Sequence, residues 1–194
     1  MISLLVAAVL LTAGAPLLMG LPRRSRAHLP ALMPWAAAPA LALALAGAPG
    51  LTVEVPWVLF GMRLGIDATG RTFLLFTALL WSIAGWYARA YLAADAKRGR
   101  FAGFFLLTLA GNLGVILAQD VASFYLFFAL MTFAAYGLIV HDGTGAARRA
   151  AAVYLVMAIL GEALLLVAFL LLVHQTGTLA LAPASAALGS AAAR

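Results

Sequence analysis

The chain has 194 residues, 66% of them hydrophobic and 9% charged, with a formal net charge of +6 and a mean hydropathy of +1.09. A soluble domain of this size could not keep so much apolar surface from water, so the composition is that of an all-α polytopic membrane protein. The basic residues gather in short clusters between apolar runs, as in loops at a cytoplasmic membrane face, and do not form a nucleic-acid footprint; the absence of Cys excludes disulfides, thiol catalysis and thiolate metal sites.

In chain order, the first apolar segment runs over about 2–21, with Pro16 as a kink. A signal peptide carries its positive charge before the apolar run. Here Arg23, Arg24 and Arg26 follow it, so a retained helix with its N-terminus outside is expected. Pro30 opens a second segment over 32–51, which is Ala-rich and the weakest span by hydrophobicity. Further spans are expected over about 72–92, 101–118, 121–140 and 150–173, each of the length an α-helix needs to cross the hydrocarbon core. That makes about six transmembrane helices.

Charge tests the count. With the N-terminus outside, the loops after segments one, three and five face the cytoplasm and hold Arg23, Arg24, Arg26, Arg89, Lys97, Arg98, Arg100, Arg148 and Arg149, nine of the twelve Lys and Arg. Arg63, Arg71 and Arg194 fall on the other side. A bacterial-type cytoplasmic (inner) membrane, crossed several times, is the expected location.

The piece between segments two and three carries Glu54, Arg63 and Asp67, too many charges for the hydrocarbon core. Its apolar residues alternate over a short range and Gly61 and Gly65 punctuate it, so an outer-face hairpin or interfacial segment is expected, with Trp57 at headgroup depth. Residues 175–194 form an Ala-rich tail, either a surface helix or a linker.

Three stretches carry a resemblance. LGIDATGRTFLLFTALLW (64–81) leads from the charged piece into segment three. Ala118-Gln119-Asp120 through Phe124-Tyr125 opens segment five. Leu130-Met131-Thr132 and Tyr136 through Val140 continue it. In this order and spacing they resemble the N-terminal part of the antiporter-like membrane subunits of respiratory complex I (NADH:quinone oxidoreductase), of Mrp-type cation/proton antiporters and of membrane-bound hydrogenases. The resemblance covers roughly Met1 to Val173 and implies a subunit of such an assembly that takes part in proton or cation translocation. It implies other integral membrane subunits as partners. Two departures stand out. The family places a translocating Glu directly before Leu-Met-Thr, where this chain has Ala129. The family fold is also about fourteen helices long, with relay Lys residues in later helices, so one partner is expected to supply those helices. The other reading, favoured by Ala129, is a non-conducting scaffold that docks other membrane subunits.

Glu162 is the most informative residue. It sits near the centre of segment six among apolar residues, where a carboxylate costs a few kcal/mol, and such groups usually face the protein interior and mark an ion or proton path. Tyr154 and Ala158 share its helical face. The plainer reading is a protonated Glu hydrogen-bonded to a neighbouring helix. Asn112 lies mid-way along segment four beside Gly111 and Gly114, and Tyr125, Thr132 and Tyr136 lie on nearby faces of segment five. They either line a wet path or hold helices together through hydrogen bonds. His141 opens the loop after segment five and is a proton-uptake candidate or a solvated helix cap. Asp120 is placed to cap segment five. No catalytic triad, phosphate loop or dinucleotide fingerprint is present. The chain is therefore not expected to be catalytic alone, and no cofactor or metal site is expected.

Overall fold

The structure is a computed structural model and describes residues 28–47, 50–56 and 61–181. The expected first span (2–21), its basic turn, Trp57 and most of the Ala-rich tail lie outside the described residues. The described elements are α1 (Leu29–Leu32), α2 (Ala38–Ala46), β1 (Leu51–Val55), β2 (Met62–Ile66), α3 (Ala68–Tyr91), α4 (Arg98–Leu117), α5 (Val121–Ile139) and α6 (Gly145–Thr176). Four of these, α3 to α6, are long and apolar enough to cross a membrane, so the chain is a mostly helical, polytopic membrane protein.

Where a span over 32–51 is expected, the chain instead forms the two short helices α1 and α2, and Leu51 already belongs to β1. Prolines account for the interruption. Pro30, Pro34 and Pro39 have no N–H to donate, and Pro30 and Pro39 sit in the first turns of α1 and α2, where that loss is harmless. The connecting turn is held by bonds such as Ala36 N–H to Leu32 O, 2.9 Å. Arg71 then closes α2 from outside. Its guanidinium donates to the carbonyls of Ala44 (2.7 Å) and Leu45 (3.1 Å), groups that the last turn of a helix leaves unpaired.

β1 and β2 pair antiparallel, with Leu51 opposite Ile66 and Glu54 opposite Arg63. Alternation decides which side of this ribbon is covered. Leu64 and Ile66 are buried and join Leu74, Leu113 and Leu117 in the main core. Glu54 and Arg63 form an ion pair at 2.9 Å with both side chains half exposed, so it contributes little to stability.

The helices run up and down. Asp67 and Asp120 stand at the starts of α3 and α5, where each accepts the backbone N–H three residues on (Gly70, Ser123). Thr144 does the same for α6 through Ala147 N–H, 3.0 Å. These are N-caps on helix ends that would otherwise leave donors unpaired. α4 is the most enclosed helix. It packs most extensively on α5, and glycines bring the two together. A Cβ at Gly111 would lie 2.5 Å from the Met131 backbone N, and one at Gly114 would enter the Phe127 ring. Trp81 of α3 meets Phe105 of α4 edge to face, with centroids 4.7 Å apart.

The bundle has two unlike ends. At one end lie the α3–α4 loop, the C-terminus of α5 and the N-terminus of α6, with six cations among the described residues (Arg89, Lys97, Arg98, Arg100, Arg148, Arg149) against Asp95 and Asp142. At the other end β2 bridges Ala118 through Leu64, and the chain after α6 returns to pair Ala180 with Asp120. There, among the described residues, two cations, Arg63 and Arg71, stand with three carboxylates, Glu54, Asp67 and Asp120.

Candidate functional site

Glu162 is 5% exposed, and its Oε1 has no hydrogen-bond partner among the described residues. Its surroundings make the burial notable, because α6 is otherwise the least covered of the long helices. Its covered residues between 151 and 169 form one stripe, Ala151, Tyr154, Leu155, Ala158, Glu162, Leu165 and Phe169, at the three-and-four spacing of one helical face. That stripe lies on α5. The Tyr154 hydroxyl donates to the Thr132 carbonyl at 3.2 Å, and Phe169 meets Phe124 edge to face at 5.5 Å. Glu162 falls between these two contacts, about 12 Å along the helix from Tyr154 and about 10 Å from Phe169. It therefore sits at the level of the middle of α5, where Ala129 stands. The carboxyl on α6 and the alanine on α5 share a depth.

The other sequence candidates divide. Thr132 is buried, but its hydroxyl donates to the Phe128 carbonyl one turn back at 2.8 Å, so what it offers α6 is its own carbonyl. Tyr125 and Tyr136 are half-buried on α5. Asn112 belongs to the other side of α5, where its Nδ2 reaches the Met131 sulfur at 3.3 Å across the glycine-lined contact. The structure therefore does not gather these residues into one chain with Glu162: Tyr154 and Thr132 share its interface, and Asn112 does not.

His141 is 5% exposed at the basic end. Its Nε2 lies 2.9 Å from Asp95 Oδ2, and Phe101 covers it edge to face at 5.0 Å. Asp95 also accepts the Lys97 backbone N–H at 2.6 Å. That bond first, and the His141 contact second, hold the Asp95 carboxyl below the usual carboxylate range. The expected solvated cap at His141 is thus a buried, paired imidazole, with Nδ1 left without a partner among the described residues. It stands about 18 Å along α5 from Ala129. Sequence reading missed Asp95, 46 residues away. The available signal was its place as the lone carboxylate in the basic loop 89–100. Asp120 does more than cap. Its carboxylate accepts Ser123 N–H (2.8 Å), Ser123 Oγ–H (2.6 Å) and Arg63 N–H of β2 (2.8 Å), so it ties the ribbon to α5. No group of three or more His, Cys, Asp or Glu that could hold a metal occurs among the described residues.

Residues 118–192 match the family described as NADH:quinone oxidoreductase/Mrp antiporter, TM. The chain is similar to an Na(+)/H(+) antiporter subunit of Bacillus subtilis, 31% identical over 126 residues, covering 65% of this chain and 26% of that protein. It is also similar to the corresponding antiporter subunit of Alkalihalophilus pseudofirmus, 26% identical over 130 residues and covering 67% and 26% respectively. Among solved structures, a chain of the Mrp complex from Dietzia sp. matches with a TM-score of 0.65 and 27% identity, covering 92% of this chain and 20% of that one. A chain of the membrane-bound sulfane sulfur reductase, an archaeal respiratory membrane complex, shares the fold with a TM-score of 0.68 at 24% identity, covering 92% and 38%. This chain thus spans about a quarter of the length of these two antiporter relatives. By sequence over part of its length and by fold over most of it, the chain is similar to membrane subunits of the NADH:quinone oxidoreductase/Mrp antiporter kind.

Proposed function

We propose that this chain takes part in moving protons or cations across a bacterial cytoplasmic membrane as one subunit of a larger membrane assembly, with Glu162 as its principal titrating group. One observation carries the reading: a nearly fully buried carboxyl, its Oε1 without a partner among the described residues, in the middle of a spanning helix and level with Ala129. The expected family carboxyl is absent from α5, and Glu162 supplies one from α6 at the same depth. A buried acid in a span carries a cost of a few kcal/mol that structure alone does not explain. The Na(+)/H(+) antiporter relatives support translocation as the activity.

In this reading the chain crosses the membrane about six times, the segment over 2–21 and the interrupted α1–α2 pair adding two crossings to α3–α6, with its N-terminus outside. The end bearing Arg89, Lys97, Arg98, Arg100, Arg148 and Arg149 faces the cytoplasm, and the β1–β2 ribbon lies at the outer face. A partner membrane subunit supplies the later helices and their relay lysines, and catalysis, if the assembly is redox-driven, belongs to other subunits. His141, with Asp95, is the candidate for proton uptake at the cytoplasmic end.

The test is ion movement by the assembled complex in vesicles. Glu162→Gln is expected to lower it by tenfold or more, and adding Ala129→Glu to that variant is expected to restore part of it. Unchanged transport in Glu162→Gln, with the complex intact, sinks the proposal and leaves the non-conducting scaffold, which Ala129 favours.

A further inference from the structure

At the basic end, a cleft of about 570 Å³ opens between the C-terminal half of α3, the start of α4 and the end of α5. Its wall runs from Leu80 and Trp81 past Tyr87 to Tyr91 on one side, with Phe101 and Phe105 opposite. Measured along α3 from Leu80 to Leu92 it is about 18 Å long, slightly more than one leaflet's share of a hydrocarbon core about 30 Å thick. It is therefore an apolar slot parallel to the helices, reaching from the interface towards the bilayer middle. Its interfacial mouth is polar. His141 lines it, nearly fully buried and with Nδ1 lacking a partner among the described residues.

Two permanent cations stand beside that mouth. Arg100 Nη2 lies 3.4 Å from the His141 carbonyl, and the Lys97 ammonium lies 3.9 Å from where a Cβ on Gly143 would be. Both side chains are otherwise exposed. Of the two carboxylates at this end, Asp95 is engaged by His141 and by the Lys97 backbone, and Asp142 is exposed at the rim. A ligand that fits must bring a negative head to the cations and a long apolar body to the aromatic wall.

We infer that this cleft binds one anionic phospholipid, acyl chain along α3 and phosphate between Arg100 and Lys97. The lipid wedges α3 against the α4–α5 pair at their cytoplasmic-type, basic end. It does not depend on Glu162 or on transport. The slot is a lipid site because a bare phosphate would leave its apolar wall open to water. Clusters of Lys and Arg at such helix ends attract anionic headgroups at about 1 kcal/mol per cation, roughly fivefold in affinity each.

The experiment is native mass spectrometry of the full chain released from nanodiscs of phosphatidylglycerol and phosphatidylcholine with identical acyl chains. One retained phosphatidylglycerol is expected. Arg100→Gln and Lys97→Gln, both on exposed side chains, should each weaken its retention about fivefold. Ala84→Trp, which fills the slot and leaves every charge in place, should remove it. Glycerol phosphate without acyl chains should not compete. Equal retention of the two lipids, retention unchanged by Arg100→Gln and Lys97→Gln together, or full competition by glycerol phosphate would each overturn the inference. So would a dimer that Ala84→Trp dissociates while lipid retention stays the same, since the cleft would then be a protein contact.

Discussion

Asp120 holds more of this fold together than any other single polar side chain among the described residues. It is 4% exposed and accepts three hydrogen bonds, two from Ser123 in the first turn of α5 and one from the Arg63 amide of β2. Hydrogen bonds to a charged group contribute about 1.5–3 kcal/mol each, and stranding a buried donor costs about 1–3 kcal/mol. The three share one acceptor and do not add in full. Asp120→Ala is therefore expected to cost about 3–5 kcal/mol, a large part of the roughly 5–15 kcal/mol that holds a domain folded. Asp120→Asn keeps one accepting oxygen and loses about 1–2 kcal/mol. Unfolding in mixed micelles, titrated with a denaturing detergent, measures both, and amide exchange at Arg63 shows whether the ribbon detaches first. If Asp120→Ala unfolds within about 1 kcal/mol of the parent and the Arg63 amide stays protected, Asp120 is only an N-cap and the tie between ribbon and bundle lies elsewhere.

Three further outcomes are expected. Gly111→Val places methyl groups where the Met131 backbone lies, so α4 and α5 must part; a loss of at least about 1–3 kcal/mol in the same detergent titration is expected. Asp95 is held below its ordinary value, so its contribution to stability is fully present above about pH 4 and fades as pH falls through the lowered folded value. Thermal melts from about pH 6 down to about pH 3 should show that acid limb, and Asp95→Asn should flatten it. Glu162→Leu removes a buried oxygen that has no partner among the described residues, so the chain alone is expected to become about 1–3 kcal/mol more stable while translocation by the assembly fails. A clear loss of stability instead would show that Glu162 is hydrogen-bonded glue.

The four long helices were legible because each is a continuous apolar run of spanning length, and the cap of α5 because Asp120 stands directly before its run. Ends shifted by only a few residues, as where α6 begins at Gly145 and not near 150. The interruption at α1–α2 was harder to read. Its composition is that of a weak span, and only three prolines and the strand beginning at Leu51 say otherwise. The buried Glu162 could be read locally, since a lone acid in an apolar helix is its own signal. The Asp95–His141 pair could not, because its partners are joined only when α3, α4 and α5 fold against one another. Asn112 left two readings open, a wet path or an interhelical hydrogen bond, and its side chain reaches Met131 on the side of α5 away from Glu162.

The long exposed flank of α6 bears on what a translocating protein would need. α6 has 32 residues, about 48 Å at helical rise, with Glu162 close to its middle. One stripe rests on α5, while Val153, Val156, Met157, Leu160, Leu164 and Leu171 are all more than half exposed. Lipid can cover such a surface, but lipid offers Glu162 neither a proton nor a counter-charge. On the translocation reading, the unpartnered oxygen must therefore meet water or a cation along the seam between α5 and whatever packs beside it. That seam already carries two polar groups, the Tyr154 hydroxyl and the Thr132 carbonyl, about two helical turns from the carboxyl on the side of the basic end. A partner that docks there would cover apolar surface and at the same moment enclose Glu162 together with the Tyr154 hydroxyl and the Thr132 carbonyl. On the scaffold reading, that partner would have to supply a hydrogen bond to Glu162 and no path at all, and for that reason the Glu162→Gln transport measurement separates the two.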